Sequence, residues 1–227
     1  MTKDKNRIVK TIKEQVYQIL RKDIIEGKYA PGDKISEVEV ALQLNVSRSP
    51  VHSAVNELIG EGLLENTPNK PVRVRELSTK QILDIYEYRV LIENFSIKKI
   101  IENNDQKCFK ILRNFKDKFN ELNDYSKIHQ YILVDTHFHQ FLVDCSGNDV
   151  VAECYNNYSI MITPFRVTSL ISQDRFKASV EEHSKIIDYI LTGDIKSAIK
   201  EDEEHLELAK LEIEKYLKKK ELDNTSK

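Results

Sequence analysis

The first third of the chain alternates short segments carrying apolar stripes with turn residues. Apolar side chains recur at helical spacing from residue 12 to residue 24, and Gly27 follows where such a helix would end. The stretch Ser36-Glu37-Val38-Glu39 has the form of a capping box at a second helix start. Ser47-Arg48-Ser49-Pro50 predicts a third start, because proline is well tolerated in a first turn. The apolar residues that recur at helical spacing in the first predicted helix are Ile12, Val16, Ile19, Leu20 and Ile24.

Two short alternating segments follow the third predicted helix. Its apolar stripe ends before Gly62, and the stretches 63–66 and 72–75 then alternate apolar and polar side chains as β-strands do. The turn-forming residues Thr67-Pro68-Asn69-Lys70 lie between them. Three short helices followed by a hairpin predict a winged helix-turn-helix over residues 1–77.

From residue 78 onward the pattern is helical almost without interruption. Strand-like alternation is absent, and the breaks are short stretches rich in Asn, Ser or Gly. We therefore predict a mainly α fold, in which the winged helix-turn-helix is followed by an antiparallel all-α bundle of about six helices over residues 78–227. The predicted helices cover residues 79–103, 106–122, 126–145, 149–171, 175–192 and 195–218.

Composition and charge narrow the classes of function. Of 227 residues, 40% are apolar and 32% are charged, which is typical of a soluble globular protein. The net charge is −2, but residues 1–75 carry 13 Lys and Arg against 10 Asp and Glu, so this part is expected to meet a polyanion. No secretory signal is visible, and no apolar run approaches the roughly 20 residues of a membrane span. We expect a cytoplasmic protein with no membrane partner.

The three cysteines carry no recognisable site pattern. Cys108, Cys145 and Cys154 are odd in number, far apart in sequence and without a Cys-x-x-Cys spacing. We therefore expect reduced thiols with a mainly structural role, as is usual in a reducing compartment.

The exposed side of the third predicted helix is polar along its length. If this helix lies in a major groove, its N-terminal residues reach the base edges. Arg48 can bridge the acceptors of a guanine, the serines suit phosphates, and Lys70 at the hairpin tip would reach the adjoining backbone or minor groove. Winged helices also serve as protein-interaction modules, so a solvated helix face is the alternative. The candidate DNA-binding residues are Ser47, Arg48, Ser49, His52, Ser53, Asn56 and Lys70.

The stretch PGDKISEVEVALQLNVSRSPVHSAVNELIGEGLLENTPNKPVRV resembles the N-terminal domain of GntR-family bacterial transcription regulators. The resemblance implies a winged helix-turn-helix that binds operator DNA. The chain departs from the family pattern at Val38 and His52, where arginines often contact DNA, and around Pro71, where a glycine is usual at the wing tip. Because two of the usual basic contacts are missing, a regulator with weakened DNA contacts that acts through protein partners is an alternative.

The predicted helix 126–145 contains two histidines two positions apart. Residues i and i+2 cannot share a helix face, so at most one of His137 and His139 points inward. His139 lies one turn from Asp135 on the apolar side, whereas His137 lies about 200° around the helix from Asp135. His183 and His205 lie on two later helices, and three imidazoles and a carboxylate can converge around a divalent metal in a bundle core. Each histidine alone is more often an ordinary core or surface residue.

The second part of the chain resembles the C-terminal effector domain of the FadR subfamily of GntR regulators, the FCD domain. The similarity is carried by Asp135, Phe138-His139, Ser146-Gly147-Asn148, His183 and His205, and the six predicted helices match the VanR-type branch. The resemblance implies that Asp135, His139, His183 and His205 are metal ligands. Zn²⁺ suits three imidazoles and an aspartate, and Ni²⁺ or Mn²⁺ is compatible with them.

An effector site is implied by the same analogy. The segment Tyr86–Glu93 resembles the Arg-x-x-x-Glu segment of the family's first effector-domain helix. Arg89 is the candidate to bind the carboxylate of a small organic acid, because its planar guanidinium matches that group. The alternative for Arg89 is a salt bridge with Glu93 on its own helix. Arg166, which follows Pro164, is the second candidate.

These observations together predict a homodimeric transcriptional regulator, a repressor of a pseudo-palindromic operator. Its helical domain is expected to bind a divalent metal and a small organic acid that modulates operator binding. A metal-dependent hydrolase is the rival interpretation, because a site of three histidines and one aspartate could activate water. We predict no enzyme and no catalytic residue, since no separate general base or nucleophile is found near the ligands and the winged helix would be unexplained.

Overall fold

The computed structural model describes residues 10–170 and 172–225. The chain forms two compact units, and the boundary between them lies between Glu76 and Leu77. In the first unit three short helices precede a two-stranded antiparallel hairpin, in which Leu64 lies opposite Val74. The predicted winged helix-turn-helix is confirmed. Its elements are α1 (Ile12–Ile25), α2 (Glu37–Leu44), α3 (Arg48–Gly60), β1 (Leu64–Glu65) and β2 (Arg73–Val74).

The core of the first unit forms where α1 packs on α3. Val16, Leu20 and Ile24 of α1 are buried, and α3 contributes Val51, Ala54, Val55 and Leu58. Ile12 and Ile19 belong to the same apolar pattern, but their side chains are 56% and 41% exposed. At about 100° per residue, Ile12 and Ile19 lie roughly 80° and 100° around the helix from Leu20, and therefore at the edges of the covered face.

Two details of the first unit differ from the sequence pattern. In α2 the Ser36 side chain accepts a hydrogen bond from the Glu39 amide, but only this half of the predicted capping box is formed among the described residues. At the wing tip the positive φ of 63° belongs to Asn69, in a turn closed by a bond from the Lys70 amide to the Thr67 carbonyl. Asparagine tolerates this left-handed conformation, so the wing turn forms without a glycine.

The second unit is an all-helical bundle, as predicted. Its described residues form six α-helices and one 3-10 turn, Tyr125–Lys127. Asp124 caps this turn, so the third helix of the bundle begins at Ile128 rather than at residue 126. The predicted end of the next helix at Ile171 lies outside the described residues. The helices are α4 (Thr79–Asn103), α5 (Gln106–Glu121), α6 (Ile128–Asp144), α7 (Asp149–Ser169), α8 (Gln173–Thr192) and α9 (Ile195–Thr225).

Packing in the bundle places charged side chains in its interior. One apolar cluster includes Phe119, Phe138 and Ile187 from α5, α6 and α8, and another includes Ile82 and Leu206 from α4 and α9. The helices of the bundle also bury a set of charged and titratable side chains, namely Arg89, Glu93, Asp135, His139, Arg166, His183, Asp202 and His205. Buried charges are costly unless they are paired or bind a ligand, so this interior is a candidate functional site. Within the described ranges, no helix is both long and apolar enough to cross a membrane.

The expectation of three reduced thiols is wrong for two of them. Cys108 and Cys145 form a disulfide, with Cα atoms 6.4 Å apart, and Cys154 is free and exposed. The bond joins the start of α5 to the end of α6. Because the two cysteines are 37 positions apart in sequence, only the packing of the two helices brings them together.

Candidate metal centre and DNA-binding surface

The structure brings the four predicted metal ligands together. Asp135 and His139 lie one turn apart on α6, while His183 and His205 come from α8 and α9. Each offers one ligand atom, these atoms all lie within 4.8 Å of one another, and all four side chains are buried. His137 on α6 is exposed, as the helical period predicts.

The distances between the ligand atoms match those around a zinc-sized ion. His183 Nε2 lies 3.2 Å from His139 Nε2 and 3.3 Å from Asp135 Oδ1, and His139 Nε2 lies 3.6 Å from the same carboxylate oxygen. Bonds of about 2.0–2.1 Å in a tetrahedral arrangement would place ligand atoms roughly 3.3–3.4 Å apart. The ring of His205 completes the group, with its centroid 4.4 Å from that of His183. The residues present therefore fit a divalent metal.

Each imidazole is oriented by a hydrogen bond at its other ring nitrogen. In proteins a metal-binding histidine usually donates that N–H to a carboxylate, hydroxyl or carbonyl, which fixes the tautomer and the ring direction. Here two glutamates and one tyrosine occupy those positions, and all three Nε2 atoms are left as the candidate ligand atoms. The Nδ1 partners are Glu93 for His139 at 2.6 Å, Tyr131 for His183 at 2.8 Å and Glu182 for His205 at 2.7 Å.

The electrostatics of the cluster suit a cation. Burial, followed by the charge of a neighbouring imidazole, lowers the pKa of His183 and of His205, so both rings are neutral at neutral pH, as metal binding requires. Burial is the largest influence on His139 and would lower its pKa, but the charge of Glu93 and the hydrogen bonds with Asp135 and Glu93 together raise it. Burial would raise the pKa of Asp135, but Arg166 and the histidines outweigh burial and hold it well below its usual value. Asp135 is therefore a carboxylate.

Glu93 is the centre of a buried hydrogen-bond network. Its Oε1 accepts from Arg89 Nε at 2.8 Å and from the Tyr155 hydroxyl at 2.7 Å, and its Oε2 faces His139. Arg89, which is 2% exposed, thus forms the salt bridge that the sequence offered as its alternative role. Its Nη2 atom is nevertheless buried without a hydrogen-bond partner among the described residues.

Three arginines line one small cavity beside the candidate metal centre. Arg89, Arg166 and Arg175 line this space with Asp135 and His205, and its volume of about 10 Å³ has room for about one water molecule. Arg166 Nη1 donates to Asp135 Oδ2, which leaves Oδ1 directed at the histidines. Within the part of the chain that is described, Arg89 Nη2, Arg166 Nε, Arg166 Nη2 and Arg175 Nε are buried without partners. Buried guanidinium donors without acceptors are costly, and an anion in the cavity would satisfy them.

Several residues of this site were missed in the sequence. Tyr131 lies one turn before Asp135, and Glu182 directly precedes His183, so both are near predicted ligands along the chain. Tyr131 of α6 contacts His183 on α8, and Glu182 of α8 contacts His205 on α9. Periodicity could not reveal these two contacts, because it gives a direction around one helix axis and not the neighbouring helix. Arg175 lies two turns before Glu182 on α8 itself and pairs with it through two bonds of 2.9 Å.

Asp202 on α9 was also missed. It is fully buried, and neither carboxylate oxygen has a partner among the residues described. Burial, followed by the charge of Glu93, raises the pKa of Asp202 to about 8, so this carboxyl group keeps its proton at neutral pH. A protonated Asp202 adds no negative charge to the interior.

The candidate DNA-binding residues lie on one exposed surface of the first unit. The six candidates from Ser47 to Asn56 belong to α3 or its N-cap, and Lys70 lies in the wing turn; all seven are exposed. Glu37 of α2, which the sequence pattern did not single out, contacts two of them. Its carboxylate lies 2.8 Å from His52 Nδ1 and 3.7 Å from Arg48 Nη2. Val38 is 47% exposed and offers no charge at its position.

Comparison with known proteins identifies both units. Residues 12–74 match the family described as bacterial regulatory proteins, gntR family, and residues 84–208 match the FCD domain. The Nta operon transcriptional regulator of Aminobacter aminovorans is 31% identical over 158 residues, which cover 70% of this chain and 73% of that protein. The gluconate operon transcriptional repressor of Bacillus subtilis is 25% identical over 169 residues, covering 74% of this chain and 68% of that protein.

Solved structures share the fold. E. coli McbR/YncC superimposes with a TM-score of 0.79 at 18% identity, covering 92% of this chain and all of that one. The Zn²⁺-bound FCD domain of TM0439 gives a TM-score of 0.53 at 22% identity, covering 63% of this chain and 97% of that one.

The VanR-type branch stays a prediction. Both matched families and these relatives are transcriptional regulators, not enzymes, and the chain is a member of the GntR family of bacterial transcriptional regulators that carries an FCD domain.

Proposed function

We propose that this GntR regulator is a homodimeric, cytoplasmic repressor whose FCD domain binds one divalent metal ion and a small organic acid. The observation that carries the proposal is the convergence of Asp135 Oδ1 with the histidine nitrogens, at distances of 3.2 to 3.6 Å for His139 and His183. The buried arginines beside them supply the anion-binding half of the site. Organic acid binding modulates DNA binding only if the acid favours one state of the regulator over the other.

The metal would be held by Asp135, His139, His183 and His205. Three imidazole nitrogens and one carboxylate oxygen suit Zn²⁺, and the Zn²⁺-bound FCD domain of TM0439 supports that choice; Ni²⁺ and Mn²⁺ are the other candidates. Bound there, the ion would supply a Lewis-acidic position for an effector carboxylate. The protein's own contribution is to orient the rings and to hold Asp135 ionised through Arg166.

The organic acid would bind in the cavity lined by Arg89 and Arg166. Both arginines were candidates from the sequence, and both carry buried guanidinium nitrogens without partners in the described structure. Arg175 is a third candidate to bind the acid, since it lines the same cavity. The cavity volume of about 10 Å³ has room for about one water molecule, so binding of the acid requires the side chains around the cavity to move apart.

Arg166→Lys is expected to separate metal binding from acid binding. Lysine keeps a positive charge near Asp135 but loses the planar fork that matches a carboxylate. We expect the variant to keep about one metal ion per chain and to bind the best acid of a panel (acetate, lactate, malonate and malate) about 10-fold more weakly or worse. Calorimetric titration of the zinc-loaded protein measures this affinity. Arg113→Lys, an exposed arginine of α5, is the matched control and should change nothing; equal affinity in the Arg166 variant would contradict the assignment.

Operator binding is proposed to use the exposed side of α3 and the wing. Arg48 would contact a guanine, Ser47 and Ser49 would contact phosphates, and Lys70 would contact the backbone beside the groove. A dimer places two such helices on the two halves of a pseudo-palindromic operator. Repression is supported by relatives that are named repressors, such as the gluconate operon repressor.

The salt dependence of DNA binding distinguishes this proposal from a regulator that acts through protein partners. We expect the affinity for a duplex selected from a randomised library to fall steeply with salt, with a log–log slope of about −0.9 per phosphate contact. Lys70→Ala should make that slope shallower by about one for each phosphate that Lys70 neutralises, while Lys107→Ala in the FCD domain should leave it unchanged. Fluorescence anisotropy at several salt concentrations measures the slope. A weak and salt-independent affinity would favour the protein-partner alternative.

A further inference from the structure

We infer that Glu37, His52 and Asn56 form a hydrogen-bonded relay that presents the side-chain amide of Asn56 to an adenine of the operator. The inference rests on the proposed role of α3 as the recognition helix. It gives a function to His52, which stands where the family pattern has an arginine, and to Glu37, an acidic residue on a DNA-binding surface.

The first link of the relay joins α2 to α3. Glu37 is the first residue of α2, and its side chain is 19% exposed. His52 Nδ1 lies 2.8 Å from Glu37 Oε1, and Arg48 Nη2 lies 3.7 Å from Glu37 Oε2. A carboxylate without such partners would repel the phosphates of DNA, but this one faces a ring N–H and a guanidinium. Glu37 therefore positions side chains rather than contacting DNA.

The second link joins His52 to Asn56 along α3. Asn56 lies one turn after His52, and its Nδ2 is 3.0 Å from His52 Nε2. One tautomer satisfies both contacts of the ring: Nδ1–H donates to Glu37, and Nε2 accepts from Asn56. His52 thereby holds one of the two Nδ2 protons of Asn56 and fixes which way the amide faces.

The remaining edge of the Asn56 amide matches adenine. Oδ1 and the second Nδ2 proton are left for a ligand, and Asn56 is exposed. Adenine presents a donor, the N6 amino group, beside an acceptor, N7, in the major groove, and an asparagine amide binds this pair with two hydrogen bonds. An arginine at the position of His52 would instead prefer guanine. The relay thus predicts an adenine at one position of each half-site.

Selection of bound sequences from a randomised duplex library tests the relay in the full-length protein. We expect the wild-type protein to prefer adenine at one position of each half-site by about 5- to 150-fold over the other bases. Asn56→Ala should abolish this preference. His52→Ala and Glu37→Ala should reduce it several-fold although Asn56 is intact, because the amide is then free to rotate. Glu57→Ala is the matched control, since Glu57 is an exposed residue of α3 that pairs with Lys13 of α1 and is not among the candidate DNA-binding residues.

Each other outcome overturns the relay. Unchanged base preference in Asn56→Ala would show that this amide does not recognise a base. If Asn56→Ala loses the adenine preference but His52→Ala or Glu37→Ala keeps it in full, Asn56 recognises the base without being positioned by the other two residues. A uniform loss of affinity for all sequences would assign the three residues to folding or phosphate contact. If the wild-type protein selects no sequence at all, the proposed operator-binding function itself is contradicted, which separates the two failures.

Discussion

His139→Ala is expected to leave the protein essentially free of metal, whereas the wild-type chain carries about one equivalent. His139 supplies one of four converging ligand atoms, and its ring is fully buried. Loss of a residue that only orients a ligand typically costs about 10- to 100-fold in metal affinity, and loss of a ligand itself should cost more. Elemental analysis of protein purified without chelator gives the stoichiometry, and competition with a chromogenic Zn²⁺ chelator gives the affinity.

The same helix supplies the matched control. His137→Ala removes an imidazole two residues away on α6, from a side chain that is exposed, and should leave the metal content unchanged. His183→Ala on α8 should behave like His139→Ala, because the two Nε2 atoms lie 3.2 Å apart. A wild-type chain that is purified without metal and refuses added Zn²⁺ would refute the metal centre. Equal metal content in the His137 and His139 variants would do the same.

Glu93→Leu is expected to lower the free energy of unfolding of the FCD domain by about 3–5 kcal/mol. Glu93 is fully buried and accepts hydrogen bonds from Arg89 and Tyr155 while facing His139. Removing it leaves the Arg89 guanidinium buried without a counter-charge, which is far more costly than the loss of an exposed ion pair. Urea unfolding followed by circular dichroism measures the change in the transition of the helical domain.

A double variant distinguishes loss of charge balance from loss of packing. Replacing a buried ion pair with apolar residues of similar volume is often close to neutral, so Arg89→Met combined with Glu93→Leu should recover much of the loss. Asp84→Leu on α4 is the control, since Asp84 pairs with Lys80 at the surface and its loss should have little effect. If Glu93→Leu cost less than about 1 kcal/mol, the central place of Glu93 in the buried network would be wrong.

Local patterns in the sequence were sufficient for the fold and for part of the site. Glycines and prolines separate short elements early in the chain, and an almost uninterrupted helical period follows. This pattern indicated a small winged domain before a bundle, and both are present. The choice between His137 and His139 followed from the turn of a single helix, because a two-residue step reverses the side. That Asp135, His139, His183 and His205 share one centre came from family resemblance, since no periodicity relates residues on different helices.

Other features depended on conformation that spacing does not report. The disulfide between Cys108 and Cys145 arises because α5 and α6 pack with the start of one beside the end of the other. The wing-tip turn accepts Asn69 in a left-handed conformation, so a missing glycine did not mean a missing turn. Ile12 and Ile19 matched the apolar period of α1 but lie beyond the face that α3 covers.

The sequence by itself determined the winged helix and the bundle, and it determined which histidine of α6 points inward, because these depend on side-chain direction around one helix axis. Only the tertiary structure decided which groups meet in the interior: Glu93, Tyr131 and Glu182 on the imidazoles, Arg166 on Asp135, and three arginines around one cavity. The helical period gives the direction of a side chain around its own helix axis. It does not give the helix that the side chain contacts or the level along the bundle at which the contact forms. Those are set by packing the whole bundle, and with them the chemistry of the site.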